Sequence, residues 1–241
     1  KDHGFLLNIK KCNLVPSQNL IFIGAWFRTD LNQVLLPDSR VATLVRLASA
    51  VVNSQSVSVR EWLRLQGHMA ASVFTVPWSS FHLRPVWFHL DTHCSSTSGS
   101  YENLVPVTPT IVRELSWWLN QRNLLKGVHL QKDCQLVLMM DASSFGWGAT
   151  LGELSVQARW TLVDSHKSSN WRELSASLRA VLHLQSVLKE SHLVVRSDNM
   201  VSVAYVNNQG GIHTRSLNEV VTQVFLWAEV HLLSIVGVYI G

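Results

Sequence analysis

The chain has 241 residues, of which 47% are hydrophobic and 15% are charged. This composition fits a globular protein with a substantial core and excludes disorder over most of the length. The 20 Lys and Arg residues outnumber the 16 Asp and Glu residues, which gives a formal net charge of +4 and a pI of about 9.2. Such a basic balance is compatible with a polyanionic partner such as nucleic acid.

The cysteines and the apolar runs indicate the compartment in which the protein is expected. Three cysteines lie far apart without a Cys-x-x-Cys pair, which indicates neither a zinc ribbon nor a disulfide framework. We therefore expect a reducing intracellular compartment, either cytoplasm or nucleus. His89, His93 and Cys94 are close enough to share a metal, but they lack a second ligand pair at a zinc spacing. The most apolar stretch, near the C-terminus, is interrupted by Glu229 and His231, so we expect no membrane association.

Residues 1–37 have a strand-like pattern. Three short apolar runs, FLLNI, LIFIGAWF and QVLLP, are separated by turn residues at Pro16-Ser17 and Asp30. This pattern predicts a small set of strands that includes a hairpin.

Residues 38–130 are dominated by helical signals. Apolar residues recur at helix spacing after Pro37-Asp38, and Ser58 to Glu61 fit a capping box at the start of a second helix. Pro109 suits the first position of a further helix. The polar stretch 93–103 between these helices predicts a loop or linker.

Residues 131–241 have a different rhythm. QLVLMMDAS, WGATL and Val156–Leu162 predict three strands, and Asn170–Leu188 predicts a helix with Leu174, Leu178, Val181 and Leu182 on one face. A strand at HLVVRSDN, helices at Val201–Asn208 and Leu217–Leu233 and a last strand at SIVGVYI follow. A meander followed by crossover connections predicts an α/β fold with a mixed five-stranded sheet and flanking helices.

Three acidic residues of this region are candidates for chemistry. Asp141 ends the first strand and Asp198 ends a later one, so both carboxylates would meet at one edge if these strands are parallel neighbours. Glu173, in the first turn of the intervening helix, could lean over the same crevice. Clustered carboxylates repel, and Mg²⁺, which prefers oxygen ligands, would relieve that repulsion. Two such ions can support cleavage of a phosphodiester.

Each of these residues also has a local structural interpretation. Asp141 could make an Asx-turn with the residues that follow it. Asn170 and Glu173 fit a capping box, and Asp198-Asn199 could cap the next helix. The joint order of the three acids, on strand, helix and strand, favours a shared site over three separate local roles.

Several motifs of this region carry a resemblance to a known family. They are Met140-Asp141-Ala142-Ser143 with Gly146-Trp147-Gly148, Asn170-Trp171-Arg172-Glu173-Leu174, and Ser197-Asp198-Asn199. With them, residues 131–241 resemble the type 1 RNase H domain of reverse transcriptases.

Further motifs extend the resemblance over nearly the whole chain. Trp117-Trp118-Leu119 with Asn123-Leu124-x-x-Gly127, residues 203–207 and residues 209–211 are most similar to DIRS-type retrotransposons. Residues 4–8 with Lys11, Pro16-Ser17-Gln18 and Phe22-Ile23-Gly24 resemble the stretch that follows a polymerase active site.

The resemblance implies a domain organisation and a set of partners. It divides the chain into the end of a palm-like region (1–37), a helical thumb/connection-like region (38–130) and an RNase H-like domain (131–241) that is truncated at its C-terminus. The rest of a reverse transcriptase polyprotein is an expected partner. The family's polymerase aspartates would precede residue 1 and its fourth acidic residue would follow Gly241. No polymerase activity is therefore expected of this chain.

The resemblance also implies metal-dependent hydrolysis of the RNA strand of RNA–DNA hybrids. The catalytic residues and metal ligands would be Asp141, Glu173 and Asp198, with Mg²⁺ or alternatively Mn²⁺ and no small-molecule cofactor. The expected substrate-binding residues flank these ligands in the sequence and are Ser143, Ser144, Gly146, Asn170 and Asn199.

Two other functions remain open at this stage. The chain could be a non-catalytic RNase H-like remnant that binds nucleic acid or a protein partner. A transposase or integrase on the same fold would place its acids in the order Asp, Asp, Glu, whereas the order here is Asp, Glu, Asp. That order argues against the transposase interpretation.

Overall fold

A computed structural model describes residues 12–94, 100–132, 135–211 and 214–241. The predicted FLLNI strand and the motif at residues 4–8 with Lys11 lie outside these ranges. Among the described helices, none combines the length and the apolar character needed to cross a membrane.

The first half of the chain combines small sheets with helices. In chain order its elements are β1 (Asn19–Phe22), β2 (Ala25–Arg28), β3 (Gln33–Leu35), α1 (Asp38–Val52), β4 (Ser56–Ser58), α2 (Val59–Ala70), α3 (Ser79–His93), β5 (Leu104–Pro106), α4 (Pro109–Leu119), α5 (Gln121–Leu124) and β6 (Val128–His129). β1, β2, β3 and β6 form an antiparallel sheet in that order, and β4 pairs with β5.

The run LIFIGAWF is not one strand but the hairpin β1–β2. Ile23 and Gly24 both have positive φ, 48° and 76°, which is the backbone of a two-residue hairpin turn. The Arg40 guanidinium lies against Gly24 and donates a 2.9 Å hydrogen bond to its carbonyl. The φ of 76° favours glycine at this position, and a Cβ would also have to displace the Arg40 guanidinium, which lies 2.4 Å from the ideal Cβ position.

The helical elements begin where their capping residues predict. Ser58 accepts a hydrogen bond from the Glu61 amide at the start of α2, and Pro109 is the first residue of α4. In the described residues of the predicted loop at 93–103, α3 ends at His93 and residues 100–103 form a turn before β5. Tyr101 and Asn103 of this turn accept backbone hydrogen bonds from the start of α2. Helices α1 to α5 bury a core of their own, in which the largest fully buried side chains are Trp62, Trp118, Leu36, Leu44, Leu65, Met69, Leu115 and Leu124.

The second half folds around a larger sheet. Its elements are β7 (Gln135–Ala142), β8 (Gly146–Leu151), β9 (Leu154–Arg159), α6 (Leu162–Ser165), α7 (Ser169–His183), α8 (Gln185–Leu188), β10 (His192–Ser197), α9 (Met200–Asn207), α10 (Arg215–His231) and β11 (Ser234–Tyr239). The strand order is β11-β10-β7-β8-β9, with β10 parallel to both β7 and β11 and antiparallel pairing from β7 to β9. This mixed five-stranded sheet confirms the RNase H-like fold class predicted from the sequence.

Helices cover one face of this sheet. Leu138, Met140 and Ala142 of β7 are buried, and α7 packs on them, with Ser177 donating to the Met140 sulfur. A Cβ on Gly237 of β11 would lie 3.1 Å from the α9 backbone at Val203, so α9 approaches the same face closely. The opposite face keeps exposed side chains, among them Met139, Asp141, Thr150, Arg196 and Val238.

Two boundaries differ from the sequence prediction. The third strand is β9, at Leu154–Arg159, and not Val156–Leu162. The long helix ends at His183 and is followed by the separate short helix α8. Leu182, predicted on the apolar face of the helix, is 44% exposed.

Side chains of α3 and α4 join the two halves. His82 and Trp117 stack at 4.0 Å, and both bind the Glu229 carboxylate of α10, at 2.8 Å and 2.5 Å. Arg84 donates to the carbonyls of Asn208 and Gln209, which follow α9. The helical half is therefore tied to α10 and to the end of α9.

Candidate metal centre

Parallel pairing of β7 and β10 brings two of the predicted acids to the same edge. Their register runs from His192 opposite Gln135 to Arg196 opposite Met139. Continued by two residues, the same register sets Asp198 level with Asp141. Both side chains are exposed at the carboxyl ends of their strands.

Glu173 completes the group from the first turn of α7. Its side chain is 4% exposed because α7 packs against β7 and β8. One carboxylate oxygen, Oε1, accepts a 3.3 Å hydrogen bond from the Ala142 amide, which also donates to Asp141 Oδ1 at 2.8 Å. Asp141, Glu173 and Asp198 each offer a carboxylate oxygen, and these oxygens lie within 4.8 Å of one another.

This crowding of carboxylates changes the acidity of the buried member. Burial, together with the charges of Asp141 and Asp198, raises the pKa of Glu173 from 4.5 to about 7, although the Ala142 amide and Arg172 act in the opposite direction. The second oxygen, Oε2, is buried and has no hydrogen-bond partner among the described residues. A divalent cation would satisfy this oxygen and relieve the repulsion, and an all-oxygen donor set suits Mg²⁺. The three residues therefore fit the metal that the sequence predicts.

The capping role predicted for Asn170 is wrong. α7 is capped one residue before its start by Ser168, whose hydroxyl accepts a hydrogen bond from the Trp171 amide. Asn170 instead accepts a 2.9 Å hydrogen bond from the Asn199 side-chain amide. Asn199 also caps α9, with its oxygen accepting from the Ser202 amide at 2.8 Å. The two asparagines thus form a bridge between the helices that begin beside the carboxylates.

The β7–β8 turn after Asp141 is held by many hydrogen bonds. The Ser143 hydroxyl accepts from the amides of Phe145 and Gly146, and the Ser143 amide donates to the Gly146 carbonyl. Ser144 is exposed in the same turn. A Cβ on Gly146 would fall 2.5 Å from the Ala158 carbonyl, so the turn lies flush against β9.

A groove of about 900 Å³ runs from the carboxylates across the exposed face of the sheet. Asp141 and Asp198 line one end, and the side chains of β9 line the other. Phe145, Gln157 and Arg159 belong to this groove, although the sequence did not single them out. Strand alternation sets Gln157 and Arg159 on one face of the third strand, but only the pairing of β7, β8 and β9 shows that this face adjoins the carboxylates.

Other candidate sites from the sequence do not form a metal centre. His89 donates to the Pro106 carbonyl and His93 donates to the His89 carbonyl, so ring nitrogens of both histidines are engaged. Within the described ranges, Asp141, Glu173 and Asp198 are the group that could hold a metal ion.

Comparisons with known structures give likenesses of low identity and low TM-score. No protein-family model matches the chain, and no curated protein matches it by sequence. A foamy viral protease-reverse transcriptase solved with an RNA/DNA hybrid is 12% identical over 91% of this chain, with a TM-score of 0.39. Two structures of that protein with double-stranded DNA are each 14% identical over 92% of this chain, with TM-scores of 0.36. The chain spans 29% to 45% of the length of these viral proteins. At such values the likeness assigns no activity.

Proposed function

We propose that the chain is the C-terminal part of a retrotransposon reverse transcriptase and that it hydrolyses the RNA strand of RNA–DNA hybrids. The observation that carries the proposal is the convergence of Asp141, Glu173 and Asp198, whose oxygens lie within 4.8 Å of one another at the carboxyl ends of two parallel strands. An RNase H-like sheet supports this trio.

In this proposal each side chain of the site has a distinct task. Asp141 and Asp198 are exposed and hold divalent cations on the side from which a phosphodiester arrives. Glu173 Oε1 accepts a hydrogen bond from the Ala142 amide, and Oε2, which has no hydrogen-bond partner among the described residues, is the further metal ligand. Bound Mg²⁺ or Mn²⁺ would activate the attacking water and stabilise the leaving oxygen.

The neighbouring polar groups are proposed to contact the substrate backbone. Asn170 and Asn199 are oriented by their mutual hydrogen bond, and the Asn170 amide nitrogen has no hydrogen-bond partner among the described residues. The Ser143–Gly146 turn, with Ser144 exposed, stands beside Asp141. These groups can hold a sugar-phosphate backbone by shape and by contacts to 2′-hydroxyls, which is how hybrids are recognised without sequence preference.

The finer assignments belong to the same proposal. The motifs at 117–127, 203–207 and 209–211 favour a DIRS-type element, and 1–37, 38–130 and 131–241 would be palm-like, thumb/connection-like and RNase H-like regions. We expect the rest of the polyprotein as a partner and an intracellular location, in which the free thiols of Cys12 and Cys94 would persist.

The test is cleavage of a labelled RNA–DNA hybrid with Mg²⁺ or Mn²⁺ by the chain and by its Asp141→Asn variant. Glu153→Gln is the matched control, because Glu153 is an exposed acid at the opposite end of β8. Cleavage that survives in the control and disappears in Asp141→Asn supports the proposal. Equal cleavage by all three proteins would point to a contaminating nuclease and refute it.

Hybrid binding, measured by fluorescence anisotropy in the same samples, separates the main alternative. A chain that binds the hybrid but leaves it intact at every metal concentration would be a non-catalytic binding module. A chain that does neither would contradict both functions.

A further inference from the structure

The exposed face of the large sheet offers more than the carboxylates. Strand pairing aligns Asp141 with Gly148 and Gly148 with Gln157, so these three positions form one row across β7, β8 and β9. Gly148 contributes no side chain to this row. The floor of the groove is therefore open between the carboxylates and β9.

Arg159 stands at the far side of this open floor. It is exposed at the end of β9, pairs with Gly146 and lines the same groove as Asp141. Strands are about 4.8 Å apart and rise about 3.3 Å per residue, which puts the two backbone positions about 12 Å apart. A nucleic-acid strand carries one phosphate per about 3.4 Å of helix axis, so several phosphates fall within that span.

Arg159 differs from two other arginines of this half in how its charge is partnered. Nearby, Arg179 is paired with Asp164 at 2.8 Å and Arg172 donates to the Ser165 carbonyl. Within the part of the chain that the structure describes, the Arg159 guanidinium makes neither an ion pair nor a hydrogen bond. A cation left free in a groove that also gathers metal ligands suits a phosphodiester backbone, because both ends of the groove would attract phosphate once divalent cations occupy the carboxylates.

Phe145 stands at the rim between these two ends. The ring is 83% exposed, although the backbone that carries it is held on both sides. Its amide donates to the Ser143 hydroxyl at 3.1 Å, and its carbonyl accepts from the Trp160 amide at 3.0 Å. A large exposed apolar ring on a fixed backbone beside a polar groove offers a flat surface for the apolar face of a sugar or a base.

We propose that Arg159 and Phe145 form a docking track for one strand of the nucleic-acid substrate. Arg159 binds a backbone phosphate a few nucleotides from the cleaved one, and Phe145 covers a sugar between them. This assignment rests on the proposed function and adds to it the residues that determine how tightly the strand is held. Neither residue touches the reacting atoms, so both affect binding and not the chemical step.

The test is steady-state hybrid cleavage over a series of salt concentrations. Arg159→Ala raises KM about tenfold with kcat unchanged. It also reduces the slope of log KM against log salt concentration by about 0.9, the value for one lost phosphate contact. Arg159→Lys keeps the charge and therefore keeps the slope. Phe145→Ala raises KM severalfold without changing the slope, and Phe145→Trp has the KM of the parent.

Two controls match these variants outside the groove. Arg113→Ala removes an exposed arginine from α4, and Phe74→Ala removes a ring that is 84% exposed. Cleavage by the parent with unchanged KM and slope in Arg159→Ala would overturn the docking track and leave the proposed function intact. If the parent binds the hybrid without cleaving it, the same variants are compared by their dissociation constants and by the salt dependence of those constants. A parent that neither binds nor cleaves overturns the proposed function and the track with it.

Discussion

Replacing Glu173 with glutamine is expected to stabilise the metal-free protein at neutral and alkaline pH. Glu173 is 4% exposed, and burial with the charges of Asp141 and Asp198 raises its pKa from 4.5 to about 7. Between these two values the unfolded chain releases the proton while the folded chain retains it. Stability therefore falls as pH rises from about 4.5 to about 7, and the whole loss is present above that range.

The size of this effect follows from the displacement of the pKa. A rise from 4.5 to about 7 corresponds to about 3 kcal/mol of lost unfolding free energy at pH 8. Glutamine is neutral at every pH, its oxygen can still accept from the Ala142 amide, and its amide nitrogen can donate to the neighbouring aspartates. Glu173→Gln should therefore exceed the parent by up to about 3 kcal/mol at pH 8 and by little near pH 4.

Urea unfolding in a chelator at pH 4, 6 and 8 measures this difference. Adding Mg²⁺ should reverse the order at pH 8, because a bound ion stabilises the parent and requires the ionised carboxylate. A difference between the two proteins that is the same at pH 4 and pH 8 would refute the coupling between the three carboxylates. A parent more stable than the variant in chelator at pH 8 would do so as well.

Three further substitutions test the supports of the fold, each by the unfolding free energy. Burial raises the pKa of Glu229, but the hydrogen bonds from His82 and Trp117 lower it by a larger amount. The pKa of Glu229 therefore lies below its usual value. Glu229→Gln should therefore cost about 2 kcal/mol at pH 7, and this deficit should shrink in acid as the parent carboxylate protonates. Ser168→Ala removes the cap of α7 and should cost about 1 kcal/mol, whereas no loss would contradict the capping assignment. Gly146→Ala should cost about 1–3 kcal/mol because its Cβ meets the Ala158 carbonyl at 2.5 Å. Gly148→Ala, whose nearest neighbour is 3.9 Å away, is the control and should cost clearly less.

The element order of the large sheet could be predicted because each element carries its own period. Alternating or buried apolar runs identified the strands, and the 3.6-residue period identified α7 and α10. The errors lie where a residue is buried for a reason other than the strand. Trp160 extends the apparent third strand, yet it lies beyond the end of β9, packs in the core of this half and donates its indole N–H to the Ser143 carbonyl. In LIFIGAWF the hydrophobic run continues through a turn that only the backbone angles of Ile23 and Gly24 reveal.

Some features of the candidate site could likewise be predicted from the sequence, and others could not. The positions of Asp141 and Asp198 at strand ends are visible in the sequence, and so is Glu173 in the first turn of a helix. Whether two strand ends meet depends on which strands are neighbours and on their register, neither of which local patterns determine. Arg159 and Phe145 look like an ordinary solvated strand residue and an ordinary turn residue. Only the pairing of β7, β8 and β9 brings them into one groove with the carboxylates.

The helical half is also connected to the site through α9. This helix begins at the carboxylates, where Asn199 caps it and binds Asn170, and it ends at a loop in which Gln209 has a φ of 53°. Arg84 and the Phe81 amide of α3 hold that loop by its carbonyls and by the Gln209 side chain. We therefore expect the contacts made by α3 to influence the position of Asn199 through α9. The first half of the chain would then contribute to the geometry of a site to which its described residues supply no ligand.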